Sequence, residues 1–286
     1  VLALNNLEEF AESTFLPVTD SEKILFATRG ISSGYSLVKD QVDCPFRSFA
    51  RHRLNSQHYQ TPEVDFDNLD RGNVIHKALE LFWTKTANLK NLLTLSTNSL
   101  EQQLEQFVRE AIKICSERTS GQTQFNKLEI ERNVRVIHDW LLAVELKRTD
   151  FKVIHNEEDV EINLSGIKLT LRIDRIDEIP GKGLLLIDYK TGRDAKTTDW
   201  FGEKIRGPQL PLYTLAKPPA GLAYGHLVIG KPEFKGTTIK ELPLGEFKNQ
   251  DFTKASGYSS WEELLEYWKN NLNSVADEFL QGNHRV

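Results

Sequence analysis

The 286-residue chain carries 36 Lys and Arg against 41 Asp and Glu, a formal net charge of −5, with 39% apolar and 27% charged residues. That length can bury a sizeable core. The charge argues against a surface that binds polyanions everywhere, though not against a local basic groove, and no apolar run approaches a membrane span. Two cysteines, Cys44 and Cys115, do not make a disulfide scaffold. With no basic-then-apolar leader in the opening Val1-Leu-Ala-Leu-Asn, the expected setting is cytoplasmic. Methionine is absent even at the first position, so the chain reads as a piece of a longer protein.

In chain order, Leu4, Leu7, Phe10 and Ala11 recur at helical spacing over Leu2–Phe15. Ile24–Ala27 is a short apolar run and Gly30–Gly34 a loop. Over Tyr35–Ala50, Pro45 is expected to end one helix and open another, with Phe46 and Phe49 packed inward. Arg47, Arg51, His52 and Arg53 then form a basic cluster, either a solvated face or an edge that touches phosphate. Gln57–Arg71 reads as a connection and Gly72–Trp83 as a helix with His76 and Glu80 on one side. Leu100–Glu117 and Lys127–Lys147 are long amphipathic helices.

Strands follow. Phe151–Ile154 and Val160–Leu164 flank a polar break that contains Glu157. Lys168–Ile179 and Leu184–Gly192 form an antiparallel hairpin about Pro180-Gly-Lys-Gly183. Alternation sets Asp174 with Arg172, Ile176 and Glu178, opposite to Ile173 and Asp177. The fold-back brings Asp174 roughly across from Asp188, and Lys190 shares the face of Asp188. Facing carboxylates repel if bare and suit a divalent cation with hard oxygen ligands. A solvated hairpin face would also carry Asp and Lys. In Arg193–Gly207, Trp200 and Phe201 are interleaved with Arg193, Lys196, Lys204 and Arg206, a mixture suited to a single strand or to a plain surface loop. Pro208–Ala216 reads as a helix that turns Gln209 to the end of the sheet, with Tyr213 one turn on. Gly221–Ile229 is a strand, Lys231–Leu244 a strand pair turning about Gly236, and Ser259–Leu280 a final helix.

The string Asp188-Tyr-Lys-Thr-Gly after Arg172-Ile-Asp-Arg-Ile-Asp, with His76 before it and Gln209-x-x-x-Tyr213 behind, resembles the PD-(D/E)XK nuclease superfamily. It is similar above all to the exonuclease domains of the RecB/AddB recombination type and their DNA-repair relatives. The resemblance implies an α/β fold. A restriction-endonuclease-like core has a central mixed sheet flanked by helices, with an extended helical part N-terminal to it. It implies one domain over 1–286, with a helical elaboration near 77–147 and core motifs near 151–230. It further implies His76, Glu157, Asp174 and Asp188 as ligands of Mg²⁺ or Mn²⁺. Lys190, Asp188, Asp174, Glu157 and Gln209 would be the catalytic set. Glu157 is preferred to Glu158 because the strand Val160–Leu164 follows at the family's offset.

The implied activity is metal-dependent hydrolysis of DNA phosphodiesters, exo- or endonucleolytic, in repair or recombination. The partners would be single-stranded DNA or a duplex end and a helicase-like domain or subunit, with no membrane. The alternative is a non-catalytic DNA-binding or scaffolding domain of such a complex. Some relatives hold an iron–sulfur cluster on four cysteines. Only Cys44, before Pro45, matches, so this chain does not support a cluster.

Overall fold

The computed structural model describes residues 34–56, 67–115, 123–192, 195–239, 242 and 244–282. The expected helix Leu2–Phe15, the run Ile24–Ala27, most of the loop before Gly34, and Arg193 lie outside these residues. The architecture is α/β, a mixed six-stranded sheet flanked by helices, with a helical region preceding it in the chain.

That region contains α1 (Ser36–Asp43), α2 (Pro45–Ser48), a π-helical turn (Phe49–Arg53), α3 (Asn68–Thr86), α4 (Leu89–Leu93), α5 (Thr97–Cys115) and α6 (Thr123–Ala143). Pro45 divides α1 from α2 as its missing N–H and fixed φ require. Phe46, however, points outward and is 56% exposed, because the inward positions here go to Leu37, Val38 and Ser48. The helix expected from Gly72 begins four residues earlier. The Asp67 carboxylate accepts the Asp70 N–H at 2.7 Å, and Asp70 returns the favour to the Asp67 N–H at 3.3 Å. This acidic pair serves as a capping box although it lacks the usual Ser/Thr–Glu signature.

The strands are β1 (Lys152–Leu164), β2 (Ile167–Ile179), β3 (Gly183–Lys190), β4 (Gly221–His226), β5 (Glu233–Thr238) and β6 (Lys248–Asn249), neighbours in that order. β1–β3 form an antiparallel meander, and β4 runs parallel to β3 after a crossover through α7 (Gln209–Ala216). α8 (Phe252–Ser256) and α9 (Trp261–Leu280) close the chain order. The expected strand pair about Gly236 is instead one strand. Gly236 sits mid-β5, where a Cβ would lie 1.9 Å from the Leu222 carbonyl oxygen, so the glycine admits a close backbone rather than a turn. The polar break expected around Glu157 is likewise absent: β1 runs through it, with a register shift between Val153 and His155.

Period-two alternation distributes the sheet between two cores. Leu185, Ile187 and Tyr189 of β3 join α3, α5 and α6 in one cluster, while Leu186 joins α1, α7 and α9 in the other. Burial of each such aliphatic side chain contributes about 1.5–3 kcal/mol. β2 breaks this rule. Ile173 and Ile176 pack in the same cluster, while Arg175 between them stacks 4.0 Å over the Trp83 ring of the other. The expectation that Ile173 and Ile176 face opposite ways is therefore corrected. The irregularity falls at Asp174, which the register sets across from Glu157 of β1.

Candidate active site

Asp174 and Asp188 are brought together by the β2–β3 register. Arg175 pairs with Ile187, and one further step puts the two aspartates opposite. Asp174 does not continue the ladder with its backbone there. Its Oδ2 accepts the Tyr189 N–H at 2.7 Å. Both carboxylates are buried.

His76 reaches this point from the face of α3, whose Ile75, Leu79 and Phe82 are buried on the sheet. Its Nε2 lies 3.0 Å from the Tyr189 carbonyl oxygen. A carbonyl only accepts, so Nε2 carries the proton and Nδ1 keeps its lone pair in the neutral ring. That Nδ1 faces Asp174 Oδ2 at 3.4 Å and Glu157 Oε1 at 3.8 Å. One ligand atom each from His76, Glu157 and Asp174 falls within 4.8 Å of the others, a group able to hold a metal ion. Glu157 adopts φ 47°, a left-handed conformation uncommon for a residue with a Cβ. Strain of this kind persists where surrounding structure over-determines it. Its neighbour Glu158 is engaged elsewhere, 2.5 Å from Lys217 Nζ. Arg172 Nε flanks Glu157 Oε2 at 3.8 Å.

Asp188 stands outside that three-residue group. Lys190 Nζ lies 2.6 Å from its Oδ2, and its buried Oδ1 has no hydrogen-bond partner among the described residues. Lys190 also donates to Gln209 Oε1 at 2.8 Å, and Gln209 Nε2 donates to the Tyr213 hydroxyl at 2.9 Å. Tyr213 in turn donates to the Arg172 carbonyl, which ties α7 to β2. The first turn of α7 thus fixes which end of the Gln209 amide meets the lysine.

The charges are crowded. Burial disfavours the His76 imidazolium, but Asp174, Glu157 and Asp188 outweigh it and lift the ring to about 9. Burial raises Asp174, and Asp188 and Glu157 raise it further against the pull of His76, to about 7. Partial burial costs the Lys190 ammonium, yet Asp188 holds its pKa above the usual lysine value. An excess of carboxylate gathered round one imidazole, with one buried oxygen unpartnered, fits a hard divalent cation. The sulfurs are elsewhere: Cys44 precedes α2, Cys115 ends α5, and neither is bridged.

Other residues singled out in the sequence have different duties. Arg47, Arg51 and His52 converge on the buried Asp40 carboxylate at 2.9, 2.9 and 3.1 Å, an arrangement invisible without the α1–α2 angle. Arg53 donates to the Phe279 and Leu280 carbonyls at the end of α9. Trp200 and Phe201 are core residues rather than stacking platforms, and Trp200 Nε1 donates to the Tyr224 hydroxyl at 2.9 Å. Lys204 is held by Glu278 at 2.7 Å, whereas Arg206 stays exposed beside the site. Sequence reasoning missed Tyr35 and Lys39, which meet Arg206 and Lys190 around one cavity. Their spacing of four on a helix was the available signal.

The chain belongs to the PD-(D/E)XK nuclease superfamily, whose family model matches residues 35–285. A solved structure described as that of SSO0001 is 11% identical, with 86% of this chain and 84% of that chain aligned. Its TM-score is 0.28, a likeness too slight to bear on fold or function. No curated protein matches the chain. Among the described residues, no helix is long and apolar enough to cross a membrane.

Proposed function

We propose that the protein is a metal-dependent deoxyribonuclease of the RecB/AddB-like kind that hydrolyses DNA phosphodiesters in repair or recombination. The observation that carries this reading is the convergence of His76 Nδ1, Glu157 and Asp174 beside the Lys190–Asp188 pair, inside the fold of a nuclease superfamily. His76, Glu157 and Asp174 would hold Mg²⁺ or Mn²⁺, and Asp188 would add its unpartnered Oδ1. A bound ion of this kind acidifies water and withdraws charge from a phosphate.

The chain's own groups supply the rest. The Tyr189 carbonyl fixes Nε2 as the nitrogen that keeps its proton, so loss of the Nδ1 proton alone frees a lone pair for an ion. Lys190, kept protonated by Asp188, serves as a cation for the pentavalent phosphate and a donor to the attacking water rather than as a base. Gln209 aims that ammonium and is in turn aimed by Tyr213. Glu157, from β1, faces Arg172 Nε and His76 Nδ1, each at 3.8 Å.

The test is DNA degradation by purified protein. Linear or single-stranded DNA should be cleaved with Mn²⁺ or Mg²⁺, chelation should stop it, and Lys190→Ala should lower the rate roughly 100-fold or more. No cleavage of linear, nicked or single-stranded DNA with either ion would overturn the reading and leave a DNA-binding or scaffolding role.

A further inference from the structure

A second feature adjoins the Lys190 side of the site. A cavity of about 270 Å³ opens between the start of α1 and the segment from Ala195 to Gln209, and Lys190 forms part of its wall. It is near the lower edge of small-ligand sites, which span roughly 300–1,000 Å³. One nucleotide unit fits that size, whereas a duplex does not. Its lining is mixed in charge, Lys39, Lys190 and Arg206 against Asp199, and includes Tyr35.

Arg206 is exposed and makes no side-chain ion pair among the described residues, and the Asp199 carboxylate makes none either. They line the same cavity yet do not pair with each other. Side chains of both signs on one cavity wall suit a ligand that carries both acceptors and donors. The segments that carry them are tied down. Lys39 Nζ donates to the Arg206 carbonyl at 3.2 Å and bridges to Asp43 at 3.0 Å. The Gly207 N–H donates to the Asp199 carbonyl at 3.0 Å, and a Cβ on Gly207 would meet Asp199 Cβ at 3.3 Å. Tyr35 is the aromatic left outside the core here, 37% exposed, while Tyr224 behind it is buried.

We infer that this cavity is a nucleotide subsite for an unpaired residue of single-stranded DNA, next to the phosphate that Lys190 would serve. The inference rests on the nuclease reading for which phosphate is cut, but not for binding itself. In it, Arg206 and Lys39 take the flanking phosphate, Asp199 accepts from base or sugar donors, and Tyr35 stacks on the base. A duplex end would have to fray by one nucleotide before its strand could enter, so unpaired ends are the favoured substrate.

The experiment compares wild type with Arg206→Glu, Lys39→Gln and Tyr35→Ala. Binding of a short fluorescent oligothymidylate is followed by anisotropy in chelator, where nothing is cut. Cleavage of the same strand in Mn²⁺ and the Mn²⁺-induced rise in Tm are measured alongside. The account expects Arg206→Glu and Tyr35→Ala to weaken binding about tenfold or more and to raise KM in step. Lys39→Gln falls in the same direction, all three keep the Mn²⁺-induced rise in Tm, and wild type prefers the single strand to its blunt duplex. Variants that bind the oligothymidylate as tightly as wild type, while wild type cleaves, would overturn the subsite and leave the nuclease standing. Binding that depends on Arg206 and Tyr35 in a wild type that cleaves nothing would keep the subsite and remove the nuclease. Absence of both binding and cleavage would remove both.

Discussion

Asp174 shows most sharply what the site costs the fold. A carboxyl lifted to about 7 by burial and by its neighbours prefers to keep its proton. The stability tied to it is therefore fully present below its ordinary value near 3.8 and is lost as pH rises through about 7. A cation in the cluster would replace that proton and its benefit would grow over the same interval. The Mn²⁺-induced rise in Tm should accordingly be larger at about pH 8 than at about pH 6. Asp174→Asn should raise the Tm of metal-free protein at the higher pH and abolish the Mn²⁺ effect. Equal Mn²⁺ shifts at both pH values would contradict this. The hairpin that sets Asp174 near Asp188 and Lys190 was legible in the chain, but its alternation left a solvated face open, and the resemblance alone singled these residues out as a site. Their division of labour was not legible. That Asp188 is occupied by Lys190 while Glu157 and His76 close on Asp174 depends on a left-handed φ at Glu157 and on the docking angle of α3, neither of which local pattern encodes.

Among the elements, the β2–β3 hairpin is tied into the helical region by buried charge. Arg175 is wholly buried and donates to Asp177 at 2.6 and 2.7 Å, to Glu145 at 2.7 Å and to the Tyr189 hydroxyl at 2.9 Å. Arg148 completes the network with Glu145 at 2.8 Å and Asp177 at 2.7 Å. Tyr189 also offers its N–H to Asp174 and its carbonyl to His76, so the same residue links the network to the site. Removal of one partner strands the others in low dielectric. Arg175→Met should cost about 3–5 kcal/mol in denaturant unfolding, and a loss below about 1 kcal/mol would show the network to be dispensable. The hairpin itself was legible from its turn and its apolar runs. Arg175 and Asp177 were not legible as core, because charged residues in a strand ordinarily read as its solvent face. The same bias set Gly236 as a turn and Trp200 as a surface aromatic. In both, the deciding contact comes from a distant strand or helix.

Across the whole molecule, one mixed sheet separates two cores, and the candidate site lies where both meet the middle of β2 and the C-terminal end of β3. His76 comes from the side of α3 and Gln209 from the side of α7. The order of the elements and the mixed sheet followed from strand and helix patterns together with the resemblance. The extra aromatic and basic wall that Tyr35, Lys39 and Arg206 build did not, since it joins segments more than 160 residues apart. The central claim is that His76, Glu157 and Asp174 form one cation site beside the Lys190–Asp188 pair. A crystal structure of the protein with Mn²⁺, read by anomalous scattering, tests it most directly. The account predicts a single strong peak, or a close pair, touching the Asp174 carboxylate and His76 Nδ1. Crystals at saturating Mn²⁺ with no peak at Asp174, or with the ion bound elsewhere, would contradict it.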